Sequence, residues 1–60
     1  MFSNDFFISI DLCTNKNEHH LFSEVLTFRI SEGCLIIVSY PNLKYIYNLK
    51  SLDSMRVYFP

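Results

Sequence analysis

Hydrophobic and polar residues alternate along the first segment of the chain. Ile8, Ile10 and Leu12 are separated by Ser9 and Asp11. Because successive side chains of a strand point to opposite faces, this period of two predicts a strand with one face directed inward. The polar run at 14–18 that follows predicts a loop.

The segment 19–30 fits two structures. Its second half alternates apolar residues (Leu26, Phe28, Ile30) with polar ones, which predicts a strand. Its first half also fits a short helical turn near residues 19–26. A bulge near Glu24 would make the whole segment one long strand, and this is the interpretation we prefer.

Turn residues divide the remainder of the chain. Gly33 is the only glycine, and its freedom to take a positive φ predicts a tight hairpin turn before the next strand. Segment 34–40 is apolar on both faces, which is typical of a central strand or of one buried in an interface. A second turn at Pro41 precedes an alternating strand at 43–50, and a further turn at 51–54 precedes the last strand at 55–59.

These elements predict an all-β protein with a single domain over residues 1–60. About five antiparallel strands should form a small meander, in which short loops pair each of strands 2 to 5 with the next one. The first strand could close the sheet or extend one edge. A twisted open sheet and an SH3-like, partly closed barrel are both compatible with the pattern.

Composition strengthens the β prediction and raises a question of size. The 60 residues are 50% hydrophobic and 17% aromatic. A domain of this size buries only about 60% of the surface that its unfolded chain exposes. The formal net charge of −1 gives no strong attraction to nucleic acid or to acidic membranes. No secretion signal or membrane-spanning run is evident, so we expect a cytoplasmic protein with no membrane partner.

Cysteine and histidine are the residues that could carry chemistry. Cys13, Cys34 and either His19 or His20 could be proposed as zinc ligands, but their spacing matches no zinc pattern. A cysteine paired with a histidine could act as a nucleophile, yet both cysteines lie in or beside apolar strands and are expected to be packed and reduced. A disulfide between them is a less favoured alternative. We therefore predict no catalytic, metal or cofactor-binding residue and no enzymatic activity.

The surplus of aromatic residues is the strongest functional signal. Ten Phe and Tyr residues exceed what one face of a small sheet can cover, and Tyr is enriched at protein interfaces. The sequence therefore predicts a protein-interaction module that self-associates, with a dimer as the first expectation, or that binds a protein target. The predicted interface residues are Phe7, Tyr40, Tyr45, Tyr47 and Tyr58. The short chain and its many residues whose codons are rich in A and T suggest a phage or mobile-element accessory protein, such as an inhibitor of a host protein.

A second functional class is a small module that binds single-stranded nucleic acid. Lys44 and Lys50 lie on one predicted strand and Arg56 lies on the next. If these two strands pair, the three cations and neighbouring tyrosines would form a basic, partly aromatic surface suited to phosphates and stacked bases.

Overall fold

The computed structural model describes residues 6–60, and it is an all-β structure. Its strands are β1 (Ile8–Thr14), β2 (His19–Ser31), β3 (Cys34–Ser39), β4 (Leu43–Asn48) and β5 (Leu52–Tyr58). A short 3-10 turn, Leu49–Ser51, joins β4 to β5. The predicted fold class is confirmed, and the ambiguous segment is a strand with no helical turn. Residues 6–60 contain no helix that could span a lipid bilayer.

The strands form one antiparallel sheet in the order β4-β3-β2-β1-β5. The predicted pairing of β4 with β5 is therefore wrong, because β5 pairs with β1 and places β1 inside the sheet. The 3-10 turn explains the difference. Leu49 and Leu52, at either end of that turn, pack against the core, so the chain crosses the end of the core and leaves β4 without forming a hairpin.

The sheet is curled, although it is not closed. β4 and β5 are its two edges, and in a flat five-stranded sheet they would lie about 19 Å apart, four spacings of ~4.8 Å. Only three residues separate Asn48 from Leu52, and a fully extended chain of that length reaches about 14 Å. The two edge strands must therefore approach each other where the 3-10 turn joins them. This curvature shields the core from solvent.

Bulges bend the long strand β2. Ile8 and Ile10 of β1 pair with Val25 and Phe22, so β2 carries one extra residue in the interval around Glu24. A second shift in register separates Val25 from Thr27 along β3. The predicted bulge near Glu24 is thus confirmed. Bulges increase the local bend and twist, which lets one strand pair with β1 at one end and with β3 at the other.

The core lies on the inner face of the three central strands and is aliphatic. Its completely buried members are Ile10, Leu12, Val25, Leu35 and Ile37. Half-buried side chains pack around them, including Met55 and Val57 from β5 and Tyr47 from β4. No aromatic residue within 6–60 is fully buried, so the rings form the margin of the core or its exposed surface.

The hairpin between β2 and β3 has two central residues with positive φ. Glu32 has a φ of 52° and Gly33 a φ of 75°, between the paired residues Ser31 and Cys34. Positive φ at both positions matches the primed turn that favours Asn-Gly. The predicted role of Gly33 is confirmed.

This turn gives a stability prediction. A Cβ added at Gly33 would meet nothing within 4 Å, so Gly33→Ala should cost only the backbone term of about 1–2 kcal/mol. The melting temperature of the Gly33→Ala variant should be several degrees lower than that of the unsubstituted protein, whereas that of the Glu32→Asn variant should be higher. Thermal denaturation at one fixed protein concentration checks both variants. Equal melting temperatures for Gly33→Ala and the unsubstituted protein would contradict the turn assignment.

Candidate interaction surface

The aromatic side chains are concentrated outside the core. Within residues 6–60 there are nine Phe and Tyr residues, and five of them are exposed. The exposed ones are Phe6, Tyr40, Tyr45, Tyr58 and Phe59. The other four are half-buried. The described chain therefore leaves aromatic surface uncovered, as the composition predicts.

Two of the predicted interface residues lie together on the inner face of β4. The ring of Tyr45 is 4.9 Å from that of Phe22, and the ring of Tyr47 is 6.1 Å from it. The ring of His20 lies 5.9 Å from that of Tyr47 on its other side. Tyr47 packs against the core and is half-buried, whereas Tyr45 forms the exposed rim of this cluster.

The remaining predicted interface residues occupy two other places. The rings of Phe7 and Tyr40 pack in a tilted arrangement with centroids 5.6 Å apart, and the Tyr40 amide donates a hydrogen bond to the Glu24 carbonyl at 2.8 Å. Tyr58 lies at the end of β5, opposite Ser9 of β1. The structure therefore brings the five residues together only as the pairs Tyr45–Tyr47 and Phe7–Tyr40.

The edge strand β4 carries an unusual share of exposed apolar residues. Leu43 is 49% exposed and Ile46 is 61% exposed, in addition to the rim residue Tyr45. All six residues of β4 pair with β3 without a shift in register, so the strand is regular along its length. We call Leu43, Tyr45 and Ile46, together with the free backbone of β4, the β4 edge.

The outer face of the sheet is also apolar beside this edge. Ile46 is directly opposite Ile36 of β3, and Val38 follows on the same face. Ile36 and Val38 are half-buried. β3 is therefore apolar on both faces, as predicted, and its outer face continues into the exposed side chain of Ile46.

Sequence reasoning does not identify Ile46 and Leu43 as exposed members of this candidate surface. Ile46 shares its face of β4 with Lys44 and Asn48, so the alternation places it on a polar, solvated face. The signal that could have identified it is the interruption of that face by a large aliphatic residue. Leu43 begins the strand and shares the phase of Tyr45 and Tyr47, so the alternation places it on the apolar face.

Tyr47 gives a pH prediction. Burial raises the pKa of the Tyr47 phenol above its ordinary value of 10.0, and the charge of Tyr45 adds to the effect. The folded state then holds this proton more tightly than the unfolded state, so the contribution to stability is complete below pH 10 and is lost as the pH rises further.

We therefore expect the free energy of unfolding to decrease above about pH 10. Tyr47→Phe should weaken this alkaline dependence, whereas Tyr58→Phe, on the other edge, serves as the matched control. Urea denaturation at a series of alkaline pH values checks the prediction. The same slope for all three proteins would contradict it.

A small depression on the outer face brings together side chains that could carry chemistry. It has a volume of about 180 Å³ and is lined by Asp11, Cys13, His19, Ser54 and Arg56. The Cys13 Sγ atom is 3.9 Å from the His19 Nε2 atom. Cys34 lies away from it, opposite Asn48 of β4, and His20 points to the inner face beside Tyr47.

The arrangement does not assemble the zinc ligands considered from the sequence. Among residues 6–60, no group of three His, Cys, Asp or Glu side chains could hold a metal ion. Both cysteines are free thiols, so the structure does not contain the disulfide considered as an alternative. They are half-buried at the surface of the sheet, which is more exposed than the packed positions predicted for them.

The strands that carry the basic residues considered for nucleic acid are not neighbours in the sheet. Lys44 lies on β4 and Lys50 lies in the 3-10 turn, but Arg56 lies on β5 at the other edge of the sheet. Arg56 is also paired in register with Asp11 of β1, a residue of opposite charge. The single basic face required β4 and β5 to pair, and they do not.

Comparison with known proteins leaves the description at the level of architecture. No protein-family model, curated protein or solved structure matches this chain significantly. The fold and the surface define a small all-β protein: an open five-stranded antiparallel sheet with an aliphatic core and an exposed apolar edge.

Proposed function

We propose that this protein is a non-enzymatic interaction module that self-associates. The observation that carries the proposal is that nine aromatic rings lie within residues 6–60 and none is fully buried. Only five side chains are completely buried in the core. In a domain of this size, a single hydrophobic core rarely contributes more than about 3–5 kcal/mol of folding stability. Burial of further apolar surface between copies adds to that stability.

The distribution of exposed residues supports the same conclusion. Full burial of one large aliphatic or aromatic side chain contributes about 1.5–3 kcal/mol. Three such side chains lie on β4, Leu43 and Tyr45 on its inner face and Ile46 on its outer face, at exposures from 36% to 61%. Tyrosine, as at Tyr45, is enriched at protein interfaces, because its ring can be buried while its hydroxyl remains in contact with solvent at the rim.

Light scattering during size-exclusion chromatography tests the proposal over a series of protein concentrations. We expect a mass that is a multiple of 7.1 kDa at high concentration and that falls towards 7.1 kDa on dilution. A mass of 7.1 kDa at every concentration would contradict self-association. A gel shift with a single-stranded oligonucleotide across a salt series is the control, and we expect no shift.

A further inference from the structure

The free edge of β4 is suited to one specific partner. We propose that a second copy of this chain binds along β4 in antiparallel orientation, so that two five-stranded sheets join into one ten-stranded sheet. This inference rests on the proposed self-association and specifies its geometry. The reasons lie in the direction of the backbone hydrogen bonds, in the side-chain register and in the charge of the strand.

Backbone hydrogen-bonding groups of β4 point outwards at alternate residues. The Leu49 amide donates to the Gly33 carbonyl at 2.9 Å, which continues the β3–β4 ladder one step beyond the pair Cys34–Asn48. Bonded and non-bonded pairs alternate in an antiparallel ladder. Leu43, Tyr45 and Tyr47 therefore bond to β3, and the N–H and C=O groups of Lys44, Ile46 and Asn48 point to the free edge.

A two-fold axis through Ile46 places the outward backbone groups of one copy opposite the outward backbone groups of the other. In that register Ile46 is opposite the partner's Ile46, and Lys44 is opposite the partner's Asn48. The three outward-facing residues of each copy then form bonded pairs, which gives about six backbone hydrogen bonds across the junction. Moving the axis to Tyr45 leaves only about four, because Asn48 loses its partner.

The same register is favourable for the side chains. On the outer face Ile46 contacts the partner's Ile46, and the pair extends the apolar surface formed by Ile36 of β3. On the inner face Tyr45 is opposite the partner's Tyr47, and aromatic pairs across strands are stabilising. The inner-face aromatic clusters of the two copies, each formed around Tyr45 and Tyr47, would then make one continuous surface.

Charge also permits this pairing. Lys44 is the only charged residue of β4, and the register places it opposite an amide side chain, so no two like charges face each other. Like charges directly opposite would destabilise a sheet. The β5 edge is less suitable, because the register with β1 shifts beside Asp53 and Arg56 adds a second charge. Bulges and charged residues are the features by which sheet edges avoid pairing.

A matched pair of lysine substitutions tests the edge. Ile46→Lys places two introduced lysines directly opposite each other, and we expect the dissociation constant of the dimer to rise at least about tenfold. Leu21→Lys introduces a lysine at a similarly exposed aliphatic residue, 73% exposed, on β2, where it pairs with Asp11 of β1 and not with β4. We expect this control to change the constant by less than about twofold. Circular dichroism verifies that both variants are folded.

Cysteine cross-linking then tests the register, in a background with Cys13→Ser and Cys34→Ser. Facing residues of a bonded pair have Cα atoms about 5.5 Å apart, within the range of a disulfide. Ile46→Cys should therefore form a covalent dimer on mild oxidation with oxidised glutathione. Lys44→Cys should not, because in this register Lys44 faces Asn48 and the two introduced thiols are four residues out of alignment, about 14 Å apart.

The outcomes separate this inference from the proposed function. If the unsubstituted protein is a monomer at every concentration, both are overturned. If it associates and Ile46→Lys leaves association unchanged, the β4 pairing is overturned and self-association stands. Efficient cross-linking by Tyr45→Cys in place of Ile46→Cys would overturn the register centred on Ile46.

Discussion

Ile37→Ala is expected to unfold most of the protein at room temperature. Ile37 is completely buried in β3, between Phe28 of β2 and Tyr45 of β4. Truncation of a buried isoleucine to alanine costs about 2–5 kcal/mol. That is comparable with the ~3–5 kcal/mol that the core of so small a domain supplies.

Ile36→Ala is the matched control for this prediction. Ile36 is the adjacent residue of the same strand, but it lies on the outer face and is half-buried. The same truncation there removes less buried surface and leaves no enclosed cavity, so the loss of stability should be markedly smaller. Circular dichroism and urea denaturation compare the variants. Equal losses would show that the inner face of β3 is not the core.

Removal of residues 52–60 is expected to abolish the fold. Within residues 6–60, β5 is the only strand that pairs with β1 on the side away from β2, and its residues Leu52, Met55 and Val57 pack against the core. Without them the buried side chains of Ile10 and Leu12 would face solvent along one edge. We expect the shortened chain to lose its cooperative thermal transition.

A shorter truncation provides the control. Removal of residues 59–60 takes away Phe59 and Pro60, which follow β5, and leaves every strand intact. This variant should keep a cooperative transition with a modest change in melting temperature. A cooperative transition in the chain that ends at Ser51 would contradict the pairing of β5 with β1.

The strands could be predicted because local patterns determine them. The alternation in β1, the double-sided apolar run of β3 and the glycine turn between β2 and β3 are each set by neighbouring residues. The bulge near Glu24 was also predictable, since it is needed to bring both halves of the long strand β2 into phase. These elements required no knowledge of distant contacts.

The order of the strands was harder to predict because pairing partners are not encoded locally. β5 alternates in the same way whether it pairs with β4 or with β1. Its position depends on the 3-10 turn Leu49–Ser51 and on the packing of Leu49 and Leu52 against the core. The same error placed Arg56 and Lys44 on neighbouring strands, whereas the structure puts them on the two edge strands.

The candidate site was predictable in kind and less so in its members. The excess of aromatic residues indicates uncovered apolar surface whatever the topology. Tyr47, however, packs against the core, because the phase of β4 turns it towards Phe22. Ile46 becomes important only because β4 is an edge strand, and that property follows from the strand order.

Amide hydrogen exchange along β4 is the most direct test of the claim that a second copy pairs with this edge of the sheet. We predict that the amides of Lys44, Ile46 and Asn48 become protected as the protein concentration rises, and that they exchange rapidly on dilution. The amides of Tyr45 and Tyr47 bond within the sheet and serve as internal references that should stay protected. Rapid exchange at Lys44, Ile46 and Asn48 at every concentration would contradict the account.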